Sequence, residues 1–249
     1  MTESNQKPGL PTLHHLNVST SAPKSTSSPT KRSQDSQSQR ILWLLEEIGV
    51  NYNLVLHKRD PKTRRSPPSL QEIHPLGKAP TFVTEDGTII VESAAIAGYI
   101  IRTYDKTGKH ASADILREET LSAFSGSSIH VWVSFALTFD LLARNTPWPA
   151  SYLSKGLEGI MKKQFITAEL KKSLEYLEGE LGAEEWFNGK APGRPDILLS
   201  YPLEQIIQRG YVDVDKEYPR LGAWRGRIVN SPAWKRGIEK GNGFDLLNL

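Results

Sequence analysis

The sequence predicts a mixed α/β domain followed by an all-helical one. Every strand-like run falls before Tyr104, and only helical periodicity continues after Ser112. A chain of 249 residues is long enough for two domains of ordinary size. The elements before Tyr104 read β, α, β, loop, β, β, α, and no internal repeat relates the two parts.

The first strand is "PTLHHLN", Pro11 to Asn17, with Leu13 and Leu16 as its apolar residues. Ile41, Leu42, Leu45 and Ile48 then recur at helical spacing. Asp35, Ser36 and Ser38 stand before them as candidate caps, and Gly49 stops the helix. "VNYNLVL" alternates Tyr52, Leu54 and Leu56 as a half-buried strand does. "HKRDPKTRRSPPSLQEIHPLG" is a proline-rich, basic connection. "TFVTEDGTIIVE" places two β-rich runs around Asp86-Gly87, a hairpin signal. Ser93 then caps a helix with Ile96, Tyr99 and Ile100 on one face. "YDKTGKHAS", Tyr104 to Ser112, is the linker. Beyond it, "SIHVWVSFALTFDLL" is an apolar, aromatic helix that belongs first to a core and second to a pocket wall. Ile166, Leu170, Leu174, Leu177 and Leu181 form one stripe, and "PDILLSYPLEQIIQRG" is a helix ending at Gly210. The expected domains are therefore 10–104 and 112–249.

Composition excludes several classes. With Cys 0 there is no disulfide framework, thiolate metal site or cysteine nucleophile, so any thiol chemistry uses a borrowed thiol. Lys+Arg 31 against Asp+Glu 28 gives a net charge of only +3, and no nucleic-acid partner is expected. No uninterrupted apolar run approaches the ~20 residues of a membrane span, and "MTESNQKPGL" lacks the apolar core of a secretory signal. The cytoplasm is the expected compartment. His14 and His15 are adjacent on a strand and face opposite ways, and the other histidines complete no ligand set, so no metal is expected.

The stretches "RILWLLEEIGVNYNLVLHKRD", "IHPLGKAPTFVTEDGTIIVESAAIAGYI", "PDILLSYPLEQI" and "YPRLGAWRGRI" fall in an order and spacing that resemble the glutathione S-transferases. Together they span most of Arg40 to Ile228. "LHHLN", "YNLVLHKRD" and "IHPLGK" are similar to a fungal branch whose described members include an endoplasmic-reticulum-associated enzyme. The resemblance implies a thioredoxin-like glutathione-binding domain, a helical domain that selects the electrophile, and a homodimer. Glutathione is the implied co-substrate and a small hydrophobic electrophile the second one. Conjugation and peroxide reduction, with roles in detoxification and oxidative stress, both remain open, as does a non-catalytic glutathione-binding or regulatory protein on the same scaffold. Membrane association also stays open.

Site residues follow from the same resemblance. Ala79-Pro80 occupies the family's cis-peptide position, and X–Pro is the one ordinary bond for which cis costs only ~0.5–1 kcal/mol. The Ala79 backbone would pair with the cysteinyl part of glutathione as an added strand does. Ser93 would donate to the γ-glutamyl carboxylate at a helix start, Glu92 would meet the ammonium, and Lys78 would approach the tripeptide's carboxylate ends. His57, Lys58, Arg59, Arg64 and Arg65 offer further cationic groups. The chemistry needs a thiolate, and lowering a free thiol by about two pKa units requires roughly 2.7 kcal/mol in favour of the anion. "SQSQR" matches the serine-type stretch, which makes Ser36 the thiolate donor with Gln37 in place of the usual arginine. Asn17 is the second candidate.

One run fits neither neighbour. "VSTSAPKSTSSPTKRSQ", Val18 to Gln34, is polar and separates the first strand from the first helix. Joining Asn17 to Asp35 restores "LHHLNDSQSQRILWLLEE". Val-Ser is what GTAAGT encodes, and a terminal Gln is encoded by CAG, so 18–34 reads as a short intron translated in frame. The other reading is a real disordered loop, since closure entropy grows only ~0.6 kcal/mol per doubling of length.

Overall fold

The computed structural model describes residues 7–17, 36–60, 65–244 and 246. The run 18–34 lies outside them, as do Asp35 and Arg64. The chain divides into two compact units, Met1–Ala111 with Ile228–Leu249, and Ser112–Arg227.

In the first unit, β1 (Thr12–Asn17) is followed by α1 (Gln39–Ile48) and β2 (Asn53–Lys58). β1 and β2 pair in parallel, Leu13 opposite Leu54 and Leu16 opposite His57, and α1 is the crossover that parallel pairing demands. Gly49 ends α1 at φ 78°, with its N–H on the Leu45 carbonyl at 3.0 Å. That is the left-handed cap glycine adopts most cheaply. A short α2 (Pro68–Gln71) precedes β3 (Thr81–Val83), β4 (Ile89–Val91) and α3 (Ser93–Tyr104). β3 lies antiparallel to β1 and β4 antiparallel to β3, giving the order β2-β1-β3-β4. The expected hairpin turns at Asp86-Gly87: Thr84 N donates to Thr88 O at 2.9 Å and Gly87 sits at φ 86°.

The second unit is helical. α4 (Ile115–Phe124) continues through a π-helical turn, Ser125–Ile129, into α5 (His130–Asn145). α6 (Ser151–Met161) continues through a second such turn, Lys162–Ile166, into α7 (Thr167–Leu181). Then come α8 (Arg194–Gln208), α9 (Val214–Glu217) and α10 (Pro219–Asn230). The stripe Ile166, Leu170, Leu174, Leu177 and Leu181 is buried throughout, as its spacing predicts. Asp196, in the first turn of α8, is fully buried and accepts from Gly193 N at 2.9 Å, Phe187 N at 2.9 Å and Trp224 Nε1 at 2.7 Å. Burial pushes its carboxyl up to about 6, against the pull of those donors. The run Ile115–Asn145 is long and apolar enough, by length and composition, to cross a bilayer. It carries Arg117, Glu118, Glu119, Asp140 and Arg144 along its length.

α11 (Pro232–Lys240) returns to the first unit and packs on α1. The sequence reading assigns 228–249 to the helical domain; the observed unit boundary differs, and α1 supplies the reason. Ile41, Leu42, Trp43, Leu44 and Leu45 are all fully buried, and a helix apolar on every side needs cover on more than one. α3 covers part of α1 and α11 another part. Trp43 meets Trp234 edge to face, centroids 5.7 Å apart. Glu46 accepts from Tyr52 Oη at 2.7 Å, Arg236 Nε at 3.0 Å and Lys240 Nζ.

Candidate functional site

Five of the sequence-derived residues line one cavity of the first unit. Lys78, Ala79, Pro80, Glu92 and Ser93 surround a space of about 130 Å³, joined by Gln37, Leu76 and Val91. The Ala79–Pro80 bond is cis, and Thr81 Oγ1 donates to the Lys78 carbonyl at 2.8 Å, tying down the loop before β3. Lys78 and Glu92 are exposed, and Ser93 is buried.

Ser93 is the first residue of α3 rather than its cap. Glu92 holds the cap position at φ 68° and makes no side-chain capping bond. A non-glycine residue there costs ~1–3 kcal/mol and persists only where its surroundings over-determine it. The helix start faces the cavity through both residues, and the positive end of the helix dipole favours an anion there.

Arg40 is the residue the sequence reading missed. It lies buried in the first turn of α1, and its Nη2 donates to Ser93 Oγ at 3.0 Å and to Gln37 Oε1 at 2.6 Å. Ser93 Oγ therefore accepts from a cation and keeps its own hydrogen to donate outward. Helical spacing gave no signal for this contact, because Gln37 lies in the turn before α1 and its side chain meets Arg40 only through that turn. A guanidinium does reach this site, from one turn later than the position at which serine-type relatives were expected to place it.

Ser36 is buried outside the cavity lining, its Oγ 2.5 Å from Ser38 Oγ. Ser38 takes the cap position of α1 without a side-chain capping bond, because its hydroxyl is turned to Ser36. The backbone of Asn17 closes β1 opposite Lys58; its side chain is outside what the structure describes. His57 is committed elsewhere. Its Nε2 lies 3.0 Å from His14 Nδ1 and its Nδ1 2.9 Å from Ser69 Oγ. Burial holds His14 and His15 down to about 4, with the nearby His57 adding to the effect, so both are neutral at pH 7. Among the described residues no three His, Asp or Glu side chains gather to hold a metal ion.

A small mixed sheet in β2-β1-β3-β4 order, with a cis proline before β3 and a helical unit after it, defines a thioredoxin-like domain of the glutathione S-transferase type. The family profile for glutathione S-transferase N-terminal domains matches residues 36–103, and that for the C-terminal domains matches 166–232. Glutathione S-transferase 3 of Schizosaccharomyces pombe is 30% identical over 212 residues, covering 83% of this chain and 85% of its own. Glutathione S-transferase 1 of Saccharomyces cerevisiae is 29% identical over 217 residues, 82% of this chain and 91% of its own. Elongation factor 1-gamma 3 of Oryza sativa subsp. japonica is 26% identical over 203 residues, 80% of this chain and 45% of its own. Among solved structures, a glutathione S-transferase of Actinobacillus pleuropneumoniae superposes with a TM-score of 0.70 at 25% identity, over 96% of this chain and 97% of its own. The chain belongs to the glutathione S-transferase family, a family of enzymes.

Proposed function

We propose that this protein binds glutathione in the cavity between the loop before β3 and the start of α3, and conjugates it to small hydrophobic electrophiles. The observation that carries the proposal is the convergence of Lys78, Ala79, Pro80, Glu92 and Ser93, with Gln37, on that one space. In the proposed pose the γ-glutamyl carboxylate takes the Ser93 hydroxyl and the N-terminus of α3, with Glu92 on the ammonium. The cysteinyl backbone pairs with Ala79, and Lys78 meets a carboxylate end. Arg40 is a positioning residue that orients the Ser93 hydroxyl.

The thiolate falls to Ser36 in this reading. If Ser38 donates into Ser36 Oγ, the Ser36 hydrogen is free to reach the sulfur; Asn17 is the second candidate. Conjugation forms a C–S bond as the electrophile loses its leaving group. Peroxide reduction by the same thiolate would yield an alcohol, water and, with a second glutathione, its disulfide. A second copy of this chain is the proposed partner, supported by the exposed apolar side chains Phe135 and Leu142 on α5 and Leu153, Leu157 and Ile160 on α6.

The second reading is a glutathione-binding protein without turnover. Gln37 at the expected arginine position and the likeness to elongation factor 1-gamma favour it. Calorimetry with glutathione, on the full chain and on a version lacking Val18–Gln34, tests binding. A chloronitrobenzene and cumene hydroperoxide then test turnover, with Ser36→Ala and Asn17→Ala separating the thiolate candidates. Saturable binding with turnover is expected; binding without turnover selects the second reading, and no binding by either form overturns both.

A further inference from the structure

A second cavity, of about 330 Å³, lies wholly within the helical unit, among α5, α6, α7 and the turn after α8. None of the residues placed in the glutathione site lines it. Four cations do: Arg144, Lys155, Lys162 and Arg209. They outnumber the two carboxylates present, Asp140 and Glu158.

Those carboxylates are already occupied. Lys162 Nζ stands 2.5 Å from Asp140 Oδ1 and 2.8 Å from Glu158 Oε1. The other Asp140 oxygen accepts from Tyr211 Oη at 2.9 Å. Lys162 therefore serves both acids, and the other three cations supply the excess charge of the lining. Arg209 is the informative one. Its Nε and Nη2 are buried and have no hydrogen-bond partner among the described residues. These two donors lie along one edge of the guanidinium, the edge that grips a carboxylate or phosphate with two parallel bonds. A buried charge left without an acceptor is costly and is retained most readily where something fills the gap.

We propose that this cavity is a binding site for a small organic anion, whose carboxylate or phosphate takes the open edge of Arg209 and whose apolar body lies against Ala136, Ala143 and Leu170. The exposed Arg144 and Lys155 add attraction for the same charge. The volume suits a ligand of small-metabolite size.

Calorimetry on the full chain tests the site with benzoate, phenyl phosphate and benzylamine, which share an aryl body and differ in head group. Saturable binding of at least one anion, undisturbed by glutathione, is expected, and the preferred anion identifies the head group. Benzylamine is expected not to bind. Arg209→Met should weaken the anion ~10–100-fold through loss of a bidentate, charge-assisted contact. Its ligand-free melting temperature should be unchanged or higher, since a buried guanidinium edge without an acceptor has been removed. Arg144→Gln, at an exposed position, keeps the test open should Arg209→Met misfold, and should weaken binding several-fold. No saturable anion binding at millimolar concentration, equal binding of benzylamine, or full affinity in a folded Arg209→Met or Arg144→Gln variant would each overturn the proposal.

Discussion

Replacing Glu46 by Gln removes a charge that holds the last helix onto the first, and its cost can be worked from the contacts. The Glu46 side chain is 6% exposed, while those of Arg236 and Lys240 are 50% and 49% exposed. Each ion pair is therefore discounted to the surface range of ~0.2–1 kcal/mol. The Tyr52 hydroxyl, 2.7 Å away and half-buried, is a hydrogen bond to a charged acceptor, about 1.5–3 kcal/mol. Gln keeps one oxygen and recovers a neutral bond of about 1 kcal/mol. The net expectation for Glu46→Gln is a loss of about 1–4 kcal/mol at pH 7. Burial raises the Glu46 carboxyl, but hydrogen bonds from Lys240, Tyr52 and Arg236 outweigh it and leave the group below its ordinary value. A depressed carboxylate stabilises above its unfolded pKa, and that contribution disappears as pH falls through the folded value. The gap between wild type and variant should therefore close on acidification below about 4. Urea unfolding monitored by tryptophan fluorescence at pH 7 and at successively lower pH measures both. Coincident midpoints at pH 7, or a gap that stays constant on acidification, refute the reasoning.

Three further outcomes follow from the same physics. His14 and His15, held to about 4 in the folded chain against 6.5 unfolded, contribute stability that is full above 6.5 and lost as pH falls toward 4. Asp196, raised to about 6, acts in the opposite direction, but as one carboxylate against two imidazoles. The urea midpoint should fall between pH 7 and pH 5, and a rise would reverse the assignment. At Gly237, an added Cβ would stand 3.3 Å from the Trp43 nitrogen and 3.3 Å from Gln39 Nε2. Gly237→Val should cost about 1–3 kcal/mol through overpacking of α11 on α1, read as a lowered thermal midpoint by circular dichroism. If the proposed glutathione pose is right, Arg40→Leu should raise the calorimetric Kd for glutathione ~10-fold, the equivalent of about 1.4 kcal/mol. An unchanged Kd removes Arg40 from that role.

The five residues that meet in the first cavity were legible through contiguous motifs that resemble those of the glutathione S-transferases. An Ala-Pro before a strand, a Glu-Ser at a helix start and a lysine just upstream are contiguous patterns, and their meeting in one cavity follows once β3, β4 and α3 form. Arg40 was less legible, since its partner Ser93 is 53 positions away in the chain and only the fold brings them within 3.0 Å. Ser36 and Ser38 both read as caps, yet their hydroxyls pair with each other, because a hydroxyl takes the nearest good partner and two were offered. The cation-rich cavity left no mark in the sequence at all. Its charges come from Arg144, Lys155, Lys162 and Arg209, scattered over helices whose exposed faces are charged in any case.

Local sequence pattern set the elements of the first unit and the longest apolar helices of the second, with their order. Period-2 and period-3.6 apolar patterns, Gly49, Asp86-Gly87 and the stripe from Ile166 to Leu181 each act over a few residues, and each segment carries its own local preference. Tertiary structure decided which unit the last helix joined, which cation reached Ser93, and which charges were left facing an empty space. Those outcomes depend on burial and on directional bonds between distant residues. The continuous apolar run "ILWLL" needed cover on more than one side, and only a packed chain could decide that α11 would provide it.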